Sequence, residues 1–153
     1  MDIKLGTEQD KKGNTIEVFR SEHLGMSPIY SFFLRHYAQL IDNGHSYPIT
    51  SWDDKRCGAI YAMQNNTVIG HIVFDRDNPN AAGALWITLS AVEEQWRGHG
   101  IYTILHKYFE QTAKELGYWA IASHVHVTNE VRLKSAESVG MKPILYTIGK
   151  RIK

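Results

Sequence analysis

The chain contains a single cysteine, Cys57, among its 153 residues. One thiol cannot form an intramolecular disulfide, and it excludes a zinc site built mainly from thiolates. This cysteine usage is typical of proteins from a reducing compartment, so we expect a cytoplasmic location.

Long apolar runs and an excess of one charge are also missing. The N-terminal residues, MDIKLGTEQDKKGN, hold no apolar stretch of signal-peptide length, and no later stretch reaches the roughly 20 apolar residues that cross a bilayer. The 17 Lys and Arg residues balance 16 Asp and Glu residues, which leaves a formal net charge of +1. Because there is no basic field to attract phosphates, neither nucleic acid nor a membrane is an expected partner.

The remaining composition is that of a globular protein. Apolar residues make up 43% of the chain, which is enough for a substantial core at this length. Nothing marks a linker between two halves, and no internal repeat is present. We therefore expect one domain, residues 1–153, that acts as a monomer or a homodimer.

The order of elements in the first half follows from periodicity and turn residues. Residues 14–24 alternate as a first strand, and residues 28–42 then take helical spacing, with Ser27 as a cap and Gly44 as a left-handed stop. Two β-rich segments, 59–63 and 67–74, are separated by an Asn-rich turn. This pattern predicts an antiparallel hairpin.

The second half alternates strands and helices. Residues 84–92 (ALWITLSAV) predict a strand, and residues 101–116 predict a long amphipathic helix that Gly117 ends. A strand over 118–127, a helix over 128–140 with Thr128 as its cap, and a last strand over 142–152 follow. The connecting helix predicts parallel pairing of strands 84–92 and 118–127, in a mixed sheet with helices on both faces.

The turn between strand 84–92 and the long helix has the features of an anion site. It reads Arg97-Gly98-His99-Gly100, which we call the glycine turn. The first amides of the following helix have no partner inside the helix and lie at the positive end of its dipole. Glycines let a phosphate approach the backbone, and Arg97 adds a charge. The expected guest is a phosphate or a pyrophosphate.

Two familiar phosphate sites do not fit this turn. It lacks the Gly-Lys-Ser/Thr ending of a nucleoside-triphosphate loop, and it lacks the third glycine and the acidic ribose partner of a dinucleotide fold. A different ligand that carries a pyrophosphate is therefore needed.

Residues 89–102, LSAVEEQWRGHGIY, resemble the pyrophosphate loop of the GNAT (GCN5-related N-acetyltransferase) family. Arg97 and Gly100 match the family pattern Arg-x-x-Gly-x-Gly/Ala, whereas Tyr102 stands where the family has Gly or Ala. An offset reading through Gln95, Gly98 and Gly100 also satisfies the pattern.

A second block supports the resemblance. Residues 125–141, VHVTNEVRLKSAESVGM, are similar to a later segment of the family, in which an Asn follows the end of a strand and the next helix closes with Gly-Phe. Asn129, Gly140 and Met141 take those positions here. The family implies an α/β (α+β) fold with a mixed, mostly antiparallel sheet, a parallel central pair of strands that splays, and helices on both faces.

The resemblance also implies acetyl-CoA as the co-substrate. Amides of the glycine turn would hold the pyrophosphate, and the main chain at the end of strand 84–92 would pair with the pantetheine arm. The implied cofactor-binding residues are Leu89, Ser90, Ala91, Val92, Arg97, Gly98, His99, Gly100, Ile101, Tyr102 and Asn129. No metal is expected, because the His124-x-His126 spacing has no evident third ligand.

Direct attack by an amine on the thioester needs a base for the incoming ammonium. Thr88 and Ser90, expected on one face of their strand, are not basic. His126 is the preferred base, because we expect it to point to the same side as His124 near the end of its strand. A surface histidine without a catalytic role is the alternative for His126, and Glu93 is the nearest acid.

The departing thiolate needs an acid. The tyrosine that serves in many GNAT proteins is replaced by Ala136, so Tyr102 or Tyr146 are the candidates for this role, with plain packing as the alternative for both. A missing acid need not abolish turnover, because thiolates leave readily.

The sequence indicates only the chemical class of the acetyl acceptor. Tyr47, Trp52, Asp53 and Asp54 lie in one loop and could hold a cationic amine, or the two acids could simply face water. The sequence thus predicts an N-acetyltransferase that acts on a primary amine of a small molecule or peptide. The alternatives are a CoA-binding module without turnover and a structural protein without a cofactor.

Overall fold

The computed structural model describes residues 2–45, 56–78, 83–144 and 148–150. Within these ranges it forms β1 (Ile3–Gln9), β2 (Thr15–Ser21), α1 (Tyr30–Asp42), β3 (Cys57–Gln64), β4 (Thr67–Asp75), β5 (Ala84–Val92), α2 (Ile101–Glu115), β6 (Ala120–Ser123) and α3 (Glu130–Ser138). One 3-10 turn, Leu24–Met26, precedes α1, and another, Glu94–Trp96, follows β5.

The strands of the described residues form one sheet in the order of the sequence. Neighbouring strands from β1 to β5 are antiparallel, and β5 pairs in parallel with β6 from Ala84↔Ala120 to Ile87↔Ser123. The predicted hairpin is present, because Asn65 and Asn66 both adopt positive φ between β3 and β4. The predicted parallel pair is also confirmed.

Helices cover both faces of this sheet, as predicted. Ile60, Ile72 and Phe74 pack on one face with Leu105 and Phe109 of α2. The alternate strand residues Ala59, Tyr61 and Val73 pack on the other face with Phe33 of α1. The two apolar clusters follow from the two-residue period of the strands.

A β-bulge interrupts β5 close to its middle. Val73 pairs with Leu89 and Phe74 pairs with Ile87, so Thr88 is an extra residue in the ladder. Leu85 and Ile87 therefore pack on the α2 face, while Leu89 packs on the α1 face. A strand without this bulge would place Leu85, Ile87 and Leu89 on one face.

The strand β1 is absent from the sequence-based prediction, which begins the sheet at residue 14. Ile3–Gln9 pairs antiparallel with β2 and contains only two apolar side chains, so its pattern is weak. Contacts far along the chain hold it, since Glu8 accepts hydrogen bonds from Lys107 and Tyr108 of α2 at 2.6 and 2.8 Å.

The strand β6 is shorter than predicted. It ends at Ser123, so His124 and His126 lie beyond the strand rather than on one of its faces. His124 packs against Trp86, with 4.6 Å between the ring centres, while the ring of His126 lies 5.8 Å from that of His45. The expectation that both histidines point to one side of a strand is therefore wrong.

The helix α3 is capped by Asn129 and not by Thr128. The Asn129 side chain accepts a hydrogen bond from the amide of Arg132 at 3.2 Å, and Gly140 has the left-handed φ expected of a stop. The last predicted strand, 142–152, includes residues 145–147 and 151–152, which lie outside the described residues. Its described residues, 142–144 and 148–150, carry no strand.

Candidate functional site

The glycine turn connects the end of β5 to the start of α2. Gly98 has φ 78° and Gly100 has φ 84°, a backbone conformation that side chains with a Cβ adopt only with strain. A Cβ on Gly98 would meet no described atom within 4 Å, so this side of the turn is open. Both left-handed positions fall on the glycines of the offset reading, and Tyr102 lies inside the helix where glycine is not required.

The first amides of α2 are available to a ligand. Gly100 is the N-cap residue, and its carbonyl accepts from the amide of Ile104 at 3.1 Å. The amides of Ile101, Tyr102 and Thr103 precede that bond, so helix geometry gives them no acceptor within α2. They form the positive end of a 15-residue helix.

The connection between β1 and β2, residues 10–14, braces the glycine turn. The Lys11 amide donates to the His99 carbonyl at 2.9 Å, and Nδ1 of His99 lies 2.9 Å from Oδ2 of Asp10. The Asp10 side chain is fully covered. Burial alone would raise the pKa of Asp10, but hydrogen bonds from Asn14, His99 and Lys12 outweigh it and hold the pKa below its usual value.

Arg97 lies on the surface of the site. Its Nε donates to the Val92 carbonyl at 3.3 Å, which ties the start of the glycine turn to the end of β5. The side chain is exposed, and no described carboxylate forms an ion pair with it. Its charge therefore remains available to an anion at the turn.

The edge of β5 toward β6 opens at the same end of the sheet. Ser123 Oγ donates to the Ile87 carbonyl at 3.1 Å, where the parallel ladder stops. Beyond this point Leu89 to Val92 pair with β4, and β6 offers them no partner among the described residues. An extended ligand can add to this free edge through main-chain hydrogen bonds.

Glu93 lies directly after β5, on the α1 side of the turn. Its amide donates to the Ile69 carbonyl at 2.9 Å, and its carboxylate forms an ion pair with Arg35 of α1. An open depression of about 560 Å³ adjoins the pair. It is lined by Pro28, Ser31, Phe32, Arg35, Asn66, Thr67, Val68 and Glu93.

His126 is exposed on the turn that precedes α3. Its Nδ1 lies 2.7 Å from Thr128 Oγ1, and the Thr128 amide also approaches Nδ1 at 3.2 Å. Because the Thr128 amide can only donate, Nδ1 carries the lone pair of the neutral ring and the hydrogen lies on Nε2, so Nδ1 is the atom that can accept a proton. The local turn thus orients the ring without a strand.

Tyr102 projects from the first turn of α2 toward α3. Its hydroxyl is shielded from solvent and has no hydrogen-bond partner among the described residues. The Arg132 guanidinium lies 5.3 Å from the centre of the Tyr102 ring. Burial raises the pKa of Tyr102, and the positive charge of Arg132 partly offsets this effect.

The prediction of the site from the sequence does not include two residues that lie near Tyr102. His106, 2% exposed, lies one helical turn after Tyr102, and burial lowers its pKa. Its spacing of three residues before Phe109 could have placed it on the buried face of the helix. Arg132 carries no such signal, because only the approach of α3 to α2 brings it to Tyr102.

A second buried histidine lies on the opposite face of the sheet. His71 of β4 is fully buried between Phe32, Phe33 and His36 of α1, and neither ring nitrogen has a hydrogen-bond partner in the described part of the chain. Burial lowers the pKa of His71 to about 3. The described residues contain no group of three or more His, Cys, Asp or Glu side chains that could hold a metal ion.

The expected acceptor loop cannot be placed in the site. Tyr47, Trp52, Asp53, Asp54 and the alternative acid Tyr146 lie outside the described residues.

A family comparison decides the class of the protein. The model of the acetyltransferase (GNAT) family matches residues 23–141, more than half of the chain. The chain belongs to the GNAT acetyltransferase family. The family inferred from the sequence is thereby confirmed.

Solved structures share the GNAT fold with this chain. An aminoglycoside acetyltransferase from an uncultured soil metagenomic sample, in complex with sisomicin, has a TM-score of 0.68 at 14% identity, with 90% of this chain and 97% of that chain covered. A ribosomal-protein-alanine N-acetyltransferase from Brucella melitensis biovar Abortus 2308 has a TM-score of 0.66 at 18% identity, with 90% and 99% covered.

A third structure contains CoA. The aminoglycoside N-acetyltransferase AAC(6')-Iy in complex with CoA has a TM-score of 0.62 at 18% identity, with 89% of this chain and 98% of that chain covered. No curated protein matches the sequence. No helix among the described residues is long and apolar enough to cross a membrane.

Proposed function

We propose that this GNAT protein transfers an acetyl group from acetyl-CoA to a primary amine of a small molecule or peptide, by direct attack of the amine. The observation that carries the proposal is the open glycine turn at the start of α2, beside the free edge of β5. An anion site and a free strand edge lie next to each other, as a pyrophosphate joined to an extended arm requires.

The binding mode follows from this arrangement. The pyrophosphate binds the amides from Arg97 to Tyr102, with the Arg97 guanidinium as a further donor. The pantetheine arm pairs with the main chain of Leu89 to Val92, where β5 has left β6. Asn129, at the start of α3, lines the opposite side of the arm.

His126 is our proposed base. In the neutral ring Nδ1 accepts from the Thr128 amide, so Nδ1 is the nitrogen that takes a proton from the attacking amine, directly or through water, when this hydrogen bond opens. Tyr102 is the proposed acid for the departing thiolate, because its hydroxyl has an unused proton to donate. Glu93, the alternative base, would first have to leave its ion pair with Arg35.

A specific observation favours a second candidate, a CoA-binding module without turnover. Arg35 forms an ion pair with Glu93, the acid nearest to the end of β5, and Ala136 stands where many GNAT proteins have the acid for the thiolate. Such a module would bind acetyl-CoA as tightly as an enzyme and would release no thiol in the presence of amines.

The main experiment combines binding with turnover. Acetyl-CoA is titrated by calorimetry, and release of free thiol is then followed with a panel of amines that includes aminoglycosides, polyamines and N-terminal peptides. Binding together with amine-dependent thiol release supports the enzyme. Binding without release supports the module, and no heat at millimolar acetyl-CoA removes both candidates.

The role of His126 has its own test. His126→Ala should lower kcat/KM by about 10²–10⁴, leave the affinity for acetyl-CoA unchanged and flatten the acidic limb of the pH profile. Glu93→Gln is the matched variant for the competing base, and Tyr102→Phe should affect the basic limb. Full activity of His126→Ala with an unaltered pH profile would return His126 to the role of a surface histidine.

A further inference from the structure

The tip of the β1–β2 hairpin, residues 10–14, lies outside the span that matches the GNAT family, which begins at residue 23. The tip nevertheless makes three contacts with the glycine turn. They are the Lys11 amide on the His99 carbonyl, the Asp10 carboxylate on the His99 ring, and the Lys11 side chain on Gly100.

The third contact places a cation at the start of α2. Cγ and Cε of Lys11 both lie 3.3 Å from the point that a Cβ on Gly100 would occupy. The ammonium is one bond beyond Cε, so the stem of Lys11 runs along the N-cap of the helix. A glycine at position 100 makes room for this stem as well as for a left-handed backbone.

The Lys11 side chain is exposed, and its charge is free to pair with an anion at the glycine turn. Lys11 forms no ion pair with a described residue, and the positive end of a helix dipole repels a cation. Asp10 does not compensate fully, because its two oxygens already accept from Lys12, Asn14 and His99. Lys11, Arg97 and the first α2 amides are therefore three groups at the glycine turn with which no described carboxylate pairs.

We propose that the hairpin tip is part of the cofactor site, with Lys11 as a ligand of the pyrophosphate of CoA and Asp10 as the residue that positions the glycine turn through His99. The inference rests on the proposed function, since it assigns the pyrophosphate to the same turn. The chemistry recognised is a diphosphate, and the thioester end of the cofactor plays no part in it.

In this proposal Asp10 does not contact the ligand and acts through His99. Its Oδ2 holds His99, whose carbonyl in turn accepts the Lys11 amide, so the tip and the turn form a closed set of hydrogen bonds. This set fixes the turn before a ligand arrives, which lowers the conformational entropy lost on binding.

The test compares Lys11→Met with Lys12→Met, because each variant removes one cation from the same tip. Methionine keeps an apolar stem on Gly100, and the Lys12 side chain forms no hydrogen bond or ion pair with the glycine turn in the described part of the chain. Affinities are measured by calorimetry for acetyl-CoA and for acetyl-pantetheine, which has the thioester but no pyrophosphate.

Lys11→Met should raise the Kd for acetyl-CoA about tenfold, as loss of a charge-assisted hydrogen bond does, and should leave the Kd for acetyl-pantetheine unchanged. Lys12→Met should change either Kd by less than about twofold. If wild-type protein binds neither compound, the proposed function and this inference both fall. If acetyl-CoA binds and the two variants behave alike, the inference alone is overturned.

Asp10→Asn separates positioning from folding. The amide oxygen can still accept from the Lys12 and Asn14 amides, while the contact to Nδ1 of His99 requires a different tautomer. We expect a weaker affinity for acetyl-CoA and an unchanged affinity for acetyl-pantetheine. A variant that only loses thermal stability, with the ratio of the two affinities preserved, would reduce Asp10 to a structural residue.

Discussion

The helices α2 and α3 each follow one strand of the parallel pair, but they are built differently. Seven of the 15 residues of α2 are buried, whereas none of the nine residues of α3 is buried. Val131 of α3 is 77% exposed. The α2 side of the proposed cofactor site is therefore held by the core, and α3 depends largely on its own cap and on local contacts.

This difference indicates how the site works. The glycine turn is braced from two directions, by the core under α2 and by the hairpin tip, so its conformation does not depend on a ligand. The α3 side has little apolar burial to hold it and is expected to gain order from acetyl-CoA. Preformed recognition of the pyrophosphate would then precede closure around the arm.

The largest expected difference between the two helices is in the loss of stability caused by a cavity, which should be much greater under α2 than at α3. Phe109 is fully buried between α2 and the sheet, so Phe109→Ala should lower the free energy of unfolding by about 3–5 kcal/mol. Leu133 of α3 is 37% exposed, and Leu133→Ala should cost less than about 1 kcal/mol. Denaturant titrations of the two variants check the difference, and equal losses would contradict the distinct roles of the two helices.

A second effect concerns the left-handed glycines at the two helices. Gly100→Val introduces a branched side chain at φ 84° and against Lys11, so we expect a loss of about 1–2 kcal/mol in stability and no measurable binding of acetyl-CoA. Gly140→Val has similar strain at φ 85° after α3, where a Cβ meets no described atom within 4 Å.

Calorimetry with the two glycine variants separates strain from ligand contact. Gly140→Val should lose comparable stability and still bind acetyl-CoA. Tight binding by Gly100→Val would mean that the glycine turn is not the pyrophosphate site.

Acid should destabilise the folded protein through the buried histidine His71. Burial lowers the pKa of His71 to about 3, while in the unfolded chain a histidine has a pKa near 6.5. Between these values the unfolded chain binds a proton that the folded chain does not. The contribution of such a histidine to the free energy of unfolding is therefore complete above pH 6.5. It falls as the pH is lowered, by about 1.4 kcal/mol per pH unit for each histidine of this kind.

The matched variants for this pH effect are His71→Phe and His126→Ala. His71→Phe should flatten the fall in stability between pH 6.5 and pH 4.5, because it removes the buried titrating group and keeps an aromatic ring. His126→Ala, at the exposed turn before α3, should leave the slope as it is. Urea titrations across this pH range measure both, and an unchanged slope in His71→Phe would show that other groups control it.

The smallest effect is the loss of the α3 cap. Asn129→Ala removes the hydrogen bond to the Arg132 amide and should cost about 1 kcal/mol, while Asn129→Asp should retain most of the stability. Thr128→Ala should have little effect on the helix, because Thr128 is not the cap. Thermal unfolding and hydrogen exchange of the α3 amides distinguish the two positions, and a larger loss in Thr128→Ala would contradict the assignment.

Local patterns were sufficient for the elements that frame the site. The apolar run in residues 84–92, the apolar spacing of α2 and the glycines at 98, 100 and 117 predict β5, the glycine turn and the helix with its stop. Each of these features depends on side chains within one or two turns of the chain. The family resemblance of the same stretch therefore follows from the identity and spacing of its own residues.

Other features depend on contacts that no local pattern contains. The hairpin strand β1 has too few apolar residues to be recognised, and it becomes a strand because β2 pairs with it and α2 binds Glu8. The bulge at Thr88 depends on the register with β4, and the early end of β6 moves His126 from a strand face to a turn.

The sequence by itself determined the GNAT class, the order of most elements and the left-handed glycine turn, because backbone conformation and amphipathic spacing are local properties. Only the tertiary structure decided that Lys11 and Asp10 meet Gly100 and His99, across about 90 residues of chain. It also decided that Arg132 covers Tyr102. Strand register and helix packing set these contacts, and both are fixed by the sum of many distant interactions rather than by any single stretch of residues.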